Sequence, residues 1–152
     1  MKLAEALILR ADCQKRIAQL RQRLNMSAKV QEGDQPPEDP QQLIAELEGA
    51  IAELTRLIKQ INKTNTLTEF RGGTLSDALA ERDTLLLKRN AYNDLVQTAS
   101  VQQNLYSRSE IRFVNTVNVA AIRQQVDAIA RDYRQLDSQV QALNWQTDLI
   151  ET

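Results

Sequence analysis

A chain of 152 residues, 42% hydrophobic and 26% charged, has the composition of one soluble helical domain spanning 1–152 with a real core. Its net charge of −1 removes any global attraction to nucleic acid or anionic membrane. The absence of histidine excludes histidine-based acid–base, triad and Glu-x-x-His iron chemistry, and a single cysteine excludes an internal disulfide and thiolate-rich zinc sites.

The first predicted helix spans about Lys2 to Met26. Positions 3, 6, 10, 13, 17, 20 and 24 keep the three-four spacing of a buried stripe and read Leu, Ala, Arg, Cys, Ile, Leu, Leu. Arg10 is the exception. Either a carboxylate shields it, or the helix rolls so that Leu7 or Ile8 takes the core and Arg10 snorkels. Cys13 on the stripe acts as a small hydrophobe, and its free thiol points to a reducing, cytoplasmic setting. No signal peptide is expected, because Glu5 and Arg10 break the apolar start.

Gly33 and Pro36-Pro37 make residues 27–39 a connection, and Val30 sits in a short extended piece. Asp39-Pro40 is a helix start: a capping carboxylate, then proline where its missing N–H costs nothing. The second helix spans about Pro40 to Asn62. Leu43, Leu47, Ala50, Leu54, Leu57 and Ile61 form one stripe, and Ile44, Ile51 and Ile58 widen it. A face that broad packs on two sides. Gly49 inside it marks either close approach of a neighbour or simple tolerance.

Charge is uneven over these segments. Residues 1–30 hold seven bases against Glu5 and Asp12; residues 31–55 hold seven acids and no base. Two neighbouring helices of opposite charge explain this; the alternative is a phosphate-binding stripe.

Residues 63–73 read as a polar turn, and Thr74-Leu-Ser-Asp77 as a capping box opening a third helix from 75 to about 103. Arg71-Gly72-Gly73-Thr74 lacks the lysine and spacing of a P-loop, which favours a tight turn over an anion site. Residues 104–118 alternate Ile111, Phe113, Asn115 and Val117 with Arg112, Val114 and Thr116, the pattern of a strand; its expected partner is 28–32. Helix four, 119–145, carries a ladder without a missing rung: Val119, Ile122, Val126, Ile129, Tyr133, Leu136, Val140 and Leu143. The expected fold is therefore all-α: an antiparallel four-helix bundle of coiled-coil character with a small β element around 28–32 and 110–117. No run approaches the ~20 apolar residues of a membrane span.

Up-down-up-down topology gathers Asn62, Thr64, Asn65, Thr74, Asn144 and Trp145 at one pole. It places Arg10, Arg82 and Asp83 about two turns inward, with Arg10–Asp83 as the expected shielded pair. This cluster (Arg10, Asn62, Asn65, Thr74, Arg82, Asp83, Trp145) is the candidate polar or ligand site. Trp145 also suits a lid over the core at that pole. Arg108, Glu110, Arg112 and Phe113 are the candidate interface. No residue pattern supports a catalytic, cofactor-binding or metal-binding assignment, and no cofactor is expected.

The polar segments resemble the septicolysin-like family, small bacterial helical proteins. The matching pieces are Arg10-Ala-Asp12 with Gln14-Lys-Arg-Ile17, Val30-Gln-Glu-Gly33 before Glu38-Asp-Pro40, Ile61-Asn-Lys-Thr-Asn65, Gly73 through Asp83, Ser107-Arg-Ser-Glu-Ile111 and Asn144-Trp145. The resemblance implies an all-helical bacterial protein and transfers no catalytic residue; lysis is not carried over.

Three functions compete. The first is a non-enzymatic helical protein that self-associates, as a dimer or closed ring, and binds a partner protein. The second is a nucleic-acid-associated protein using the basic face of helix one with Arg108 and Arg112. The third is an enzyme or binder of an anionic small molecule at the Arg/Asp/Asn cluster. The surplus of apolar residues at the poles (Leu67, Phe70, Phe113, Val114, Trp145, Leu149, Ile150) favours the first, as a homo-oligomer.

Overall fold

The computed structural model describes residues 1–101 and 111–152, and these form four long helices and one small sheet. The all-α class expected from the periodicity is what the chain adopts. Helix α1 (Leu3–Ser27) opens with the Glu5 carboxylate accepting the Lys2 N–H at 2.7 Å. Helix α2 (Pro40–Leu67) opens with the Asp39 carboxylate accepting the Gln41 N–H at 3.1 Å and Pro40 in its first turn. Helices α3 (Leu75–Ser100) and α4 (Val119–Gln146) follow.

The β element is not where residue alternation placed it. Strands β1 (Glu69–Phe70) and β2 (Gly73–Thr74) pair antiparallel, Glu69 with Thr74 and Phe70 with Gly73. The loop residues Arg71 and Gly72 have φ of 48° and 78°. Positive φ at both central positions is the type I′ arrangement, whose twist matches that of the strands. Glycine takes it freely at 72, and the Arg71 guanidinium lies over the Phe70 ring at 5.2 Å from its centroid. By contrast, residues 28–32 and 111–117 form no strand. Their alternation supplies side-chain faces, but alternation alone does not make a strand. Residues 102–110, which include Arg108, Glu110 and the end of the expected third helix, lie outside the described residues.

Helix α2 continues through residues 63–67, which read as turn. Threonine hydroxyls there bond back along the helix, Thr64 Oγ1 to the Gln60 carbonyl at 2.8 Å and Thr66 Oγ1 to that of Asn62 at 2.9 Å. Gly49 faces open space, so tolerance rather than close approach accounts for it.

The chain divides into two compact units. Unit 1 comprises Met1–Ser76 with Gln141–Thr152. Its core contains Cys13, Leu20, Leu43 and Ala50, with Ile17, Leu24, Leu47 and Leu54 packed against them. Cys13 meets Ala50 and Arg23 meets Glu38, so one index rises as the other falls and the two helices run antiparallel. The Cys13 thiol donates to the Ala50 carbonyl at 3.1 Å. Every position of the α1 stripe is buried or half-buried, Arg10 included; of the two alternatives to Arg10, Leu7 is half-buried and Ile8 exposed.

Unit 2, Asp77–Val140, pairs α3 with α4. Arg82 Nη1 meets Asp137 Oδ1 at 2.9 Å, the Arg89 guanidinium lies 5.7 Å from the Tyr133 ring centroid, and Arg123 Nη2 donates to Ser100 Oγ at 3.1 Å. This order is antiparallel as well. All eight ladder positions of α4 are buried or half-buried, and Ile129, Leu136 and Val140 are the deepest.

Candidate functional site

The candidate polar residues fall on separate elements. Arg10 lies half-buried on α1, Asn62 is exposed and Asn65 half-buried on α2, Thr74 is half-buried in β2, and Trp145 is exposed near the end of α4. These belong to unit 1, whereas Arg82 and Asp83 belong to unit 2. The two members of the expected Arg10–Asp83 pair fall in different units. The Asp83 side chain is 73% exposed and lies 3.7 Å from Arg82 on its own helix. Among the described residues Arg10 makes no ion pair, and it is half-buried at its stripe position. Arg82 is the arginine that finds a carboxylate across a helix pair, and the partner is Asp137 of α4. A pattern confined to one helix identifies the charged interruption at 82 and 83 but not the residue opposite it.

The part of the predicted pole with buried polar groups centres on Thr64 and Asn144, both buried in unit 1. Thr64 Oγ1 accepts the Ile150 N–H at 2.9 Å while donating to Gln60. Around it the C-terminal segment is tied down. Leu3 N–H bonds to the Thr147 carbonyl at 2.9 Å, Leu149 N–H to the Met1 carbonyl at 2.8 Å, and Gln60 Nε2 to the Glu151 carbonyl at 3.1 Å. Lys2 Nζ pairs with Asp148 at 2.7 Å and holds that carboxyl below the ordinary aspartate range, first through the hydrogen bond and then through its charge. Thr64 therefore serves as an anchor for the C-terminal segment. Trp145, expected to cover the core at this pole, points largely to solvent instead, and Leu149 is the apolar residue buried there.

The glycine-loop segment lines a concavity of about 330 Å³ formed by Glu69, Phe70, Arg71, Gly72 and Gly73. Leu75 N–H at the start of α3 is already bonded to the Thr68 carbonyl at 2.8 Å, and Glu69 brings a negative charge to the rim. A second concavity, of about 480 Å³, is lined by Arg134, Gln135, Ser138 and Gln139 of α4. Neither holds a nucleophile beside a base. Among the described residues no three or more histidine, cysteine, aspartate or glutamate side chains gather as a metal site. No helix among them is long and apolar enough to cross a membrane.

The opposed charge blocks interlock at one point, where Arg23 pairs with Glu38; Nε to Oε2 is 2.9 Å. That pair holds Glu38 below the usual carboxylate range and raises Arg23, in each case mainly through the hydrogen bond. Lys15, Arg16 and Arg21 are exposed and form no ion pair with described residues. Of the candidate interface, Arg112 and Phe113 are exposed, the Phe113 side chain strongly so at 80%.

The apolar surface was partly concealed in the sequence. Ile44, Ile51 and Ile58, which widen the α2 stripe, are 38%, 45% and 37% exposed. They lie seven residues apart, in line along one side of the helix. Their broad face packs on α1 over only part of its width.

These features define a helical protein of paired long helices. The chain belongs to the family of unknown function DUF6847, whose model matches residues 10–149. It is similar to a functionally unknown conserved protein from Corynebacterium diphtheriae of known crystal structure. The two are 48% identical, the match covers 99% of each chain, and the TM-score is 0.92. No curated protein matches the chain.

Proposed function

We propose that this chain is a non-enzymatic, cytoplasmic helical protein that self-associates and acts by binding a partner protein. The observation that carries the reading is its exposed apolar residues: Leu67, Phe113, Val114 and Trp145, together with Ile44, Ile51 and Ile58 of α2. Large apolar groups left in water in this number favour an interface. The buried free thiol of Cys13 supports a reducing compartment. Kinship with the septicolysin-like proteins is part of the proposal and rests on the segments quoted above.

Light scattering at micromolar concentration tests the reading. The expected mass is a multiple of 17.2 kDa, and a monomer at all concentrations refutes self-association. A second reading, nucleic-acid association, draws support from the exposed Lys15, Arg16 and Arg21 on α1. It requires binding to duplex DNA or RNA that weakens steeply as salt rises. On the leading reading such binding is absent at physiological salt.

A further inference from the structure

We infer that the face of the α1/α2 pair carrying Ile44, Ile51 and Ile58 is the docking surface for a second copy of the same chain, with the two α2 helices antiparallel. The inference rests on the self-association reading and gives it a surface and an orientation. The three isoleucines recur every seven residues, ~10 Å apart along the axis. That is the repeat of a seam against another helix rather than of scattered surface apolar residues. Leu47 and Leu54, half-buried and packed on the unit 1 core, lie beside this row on the same side of α2. The apolar surface therefore runs without a break from the buried core to the exposed row.

Charge identifies the occupant. From Pro40 to Thr55, α2 carries Glu46, Glu48 and Glu53 and no base; from Arg56 to Leu67 it carries Arg56, Lys59 and Lys63 and no acid. Glu48, Glu53, Arg56, Lys59 and Lys63 are exposed; Arg56 donates to the Gln60 side chain at 3.1 Å and Lys63 to the terminal Thr152 oxygen at 2.9 Å, while Glu48, Glu53 and Lys59 form no ion pair among the described residues. A second α2 laid antiparallel sets each acidic half on a basic half, twice, by two-fold symmetry. A parallel arrangement opposes acid to acid and base to base. An antiparallel seam brings Ile51 against Leu54 of the partner and Ile58 against Leu47 of the partner, so the axis crosses between residues 52 and 53.

Size agrees. A 28-residue helix is ~42 Å long, and two packed helices are ~20 Å across. One face of the pair thus offers ~800 Å² per copy, the standard extent of a stable interface.

Sedimentation at micromolar concentration on the full chain and on Ile51→Glu tests this. Wild type is expected at twice 17.2 kDa. Ile51→Glu places a charge in the seam and is expected to be monomeric, with helical circular dichroism retained and an apparent Kd raised more than ~100-fold. The double variant Ile44→Ser/Ile58→Ser is expected to act in the same direction, and Phe113→Ser is expected to remain dimeric. If Ile51→Glu and the double variant both stay dimeric, the surface is wrong while self-association stands. A monomeric wild type overturns both. Orientation is read from spin labels in a Cys13→Ser background. Labels at Ala52, near the axis, are expected close together; labels at Lys63 are expected more than ~30 Å apart. Close Lys63 labels overturn the antiparallel arrangement.

Discussion

Leu57→Ala is expected to lower the unfolding free energy by about 3 kcal/mol, read as a fall in the urea midpoint with an unchanged slope. Leu57 is 0% exposed and lies on the core side of α2, near the buried Ile61. Truncation there removes buried methyl groups and leaves a cavity that two long helices cannot close without losing register elsewhere. The contrasting variant is Leu87→Ala. Leu87 is as apolar as Leu57 and equally deep in a helix, yet it is 69% exposed, and the change expected is within about 0.5 kcal/mol. Equal losses at the two sites would mean that burial does not rank these positions as described.

The same contrast explains what could be read in advance. Long amphipathic helices are written in local period, so the α4 ladder and the α1 stripe could be assigned rung by rung. The α2 row at 44, 51 and 58 was legible as apolar, and its excess width was legible too. Which part of that width meets α1 was not, because periodicity reports a face without its neighbour. The hairpin escaped because a two-residue strand has no period; its signal was backbone geometry at Arg71-Gly72, for which Arg-Gly is a weak cue. Residues 111–117 misled for the opposite reason: they alternate well but form no strand. The extension of α2 to Leu67 also escaped, since threonine and asparagine at 64–66 are poor helix formers. Their place is secured by Thr64, which bonds a segment 86 residues away. Of the candidate site, the charged interruption at Arg82 was visible and Asp137 was not. The backbone bonds that hold residues 147–151 leave no sequence signature at all.

Those bonds carry the second large effect. Deleting residues 147–152 is expected to destabilise unit 1 by about 3 kcal/mol. The deletion removes the buried Leu149 side chain, worth ~2 kcal/mol in burial. It also removes the backbone pairs Leu3–Thr147 and Leu149–Met1 and the Ile150 N–H bonded to Thr64, each worth ~1 kcal/mol net. The gross loss of ~5 kcal/mol is offset in part because the segment no longer has to be ordered. Two point variants divide the effect. Leu149→Ala is expected to cost ~2–3 kcal/mol through the core, and Thr64→Val ~1–2 kcal/mol by leaving the Ile150 N–H without its acceptor. Acid should act at the same place. The Asp148 carboxyl is held below its ordinary value by Lys2, so its contribution is fully present above the unfolded aspartate pKa and is lost as pH falls through the lowered folded value. Asp148 is exposed and its pair with Lys2 is screened, so the acid effect is smaller than the truncation effect. In Asp148→Asn that component of the acid limb should vanish, while the destabilisation by Leu149→Ala persists at neutral pH. Thermal unfolding of the wild type and these four variants across pH 2–7 separates these terms. If the deletion left the midpoint unchanged at pH 7, the C-terminal segment would be an ornament on unit 1 and Thr64 a helix residue with no anchoring part.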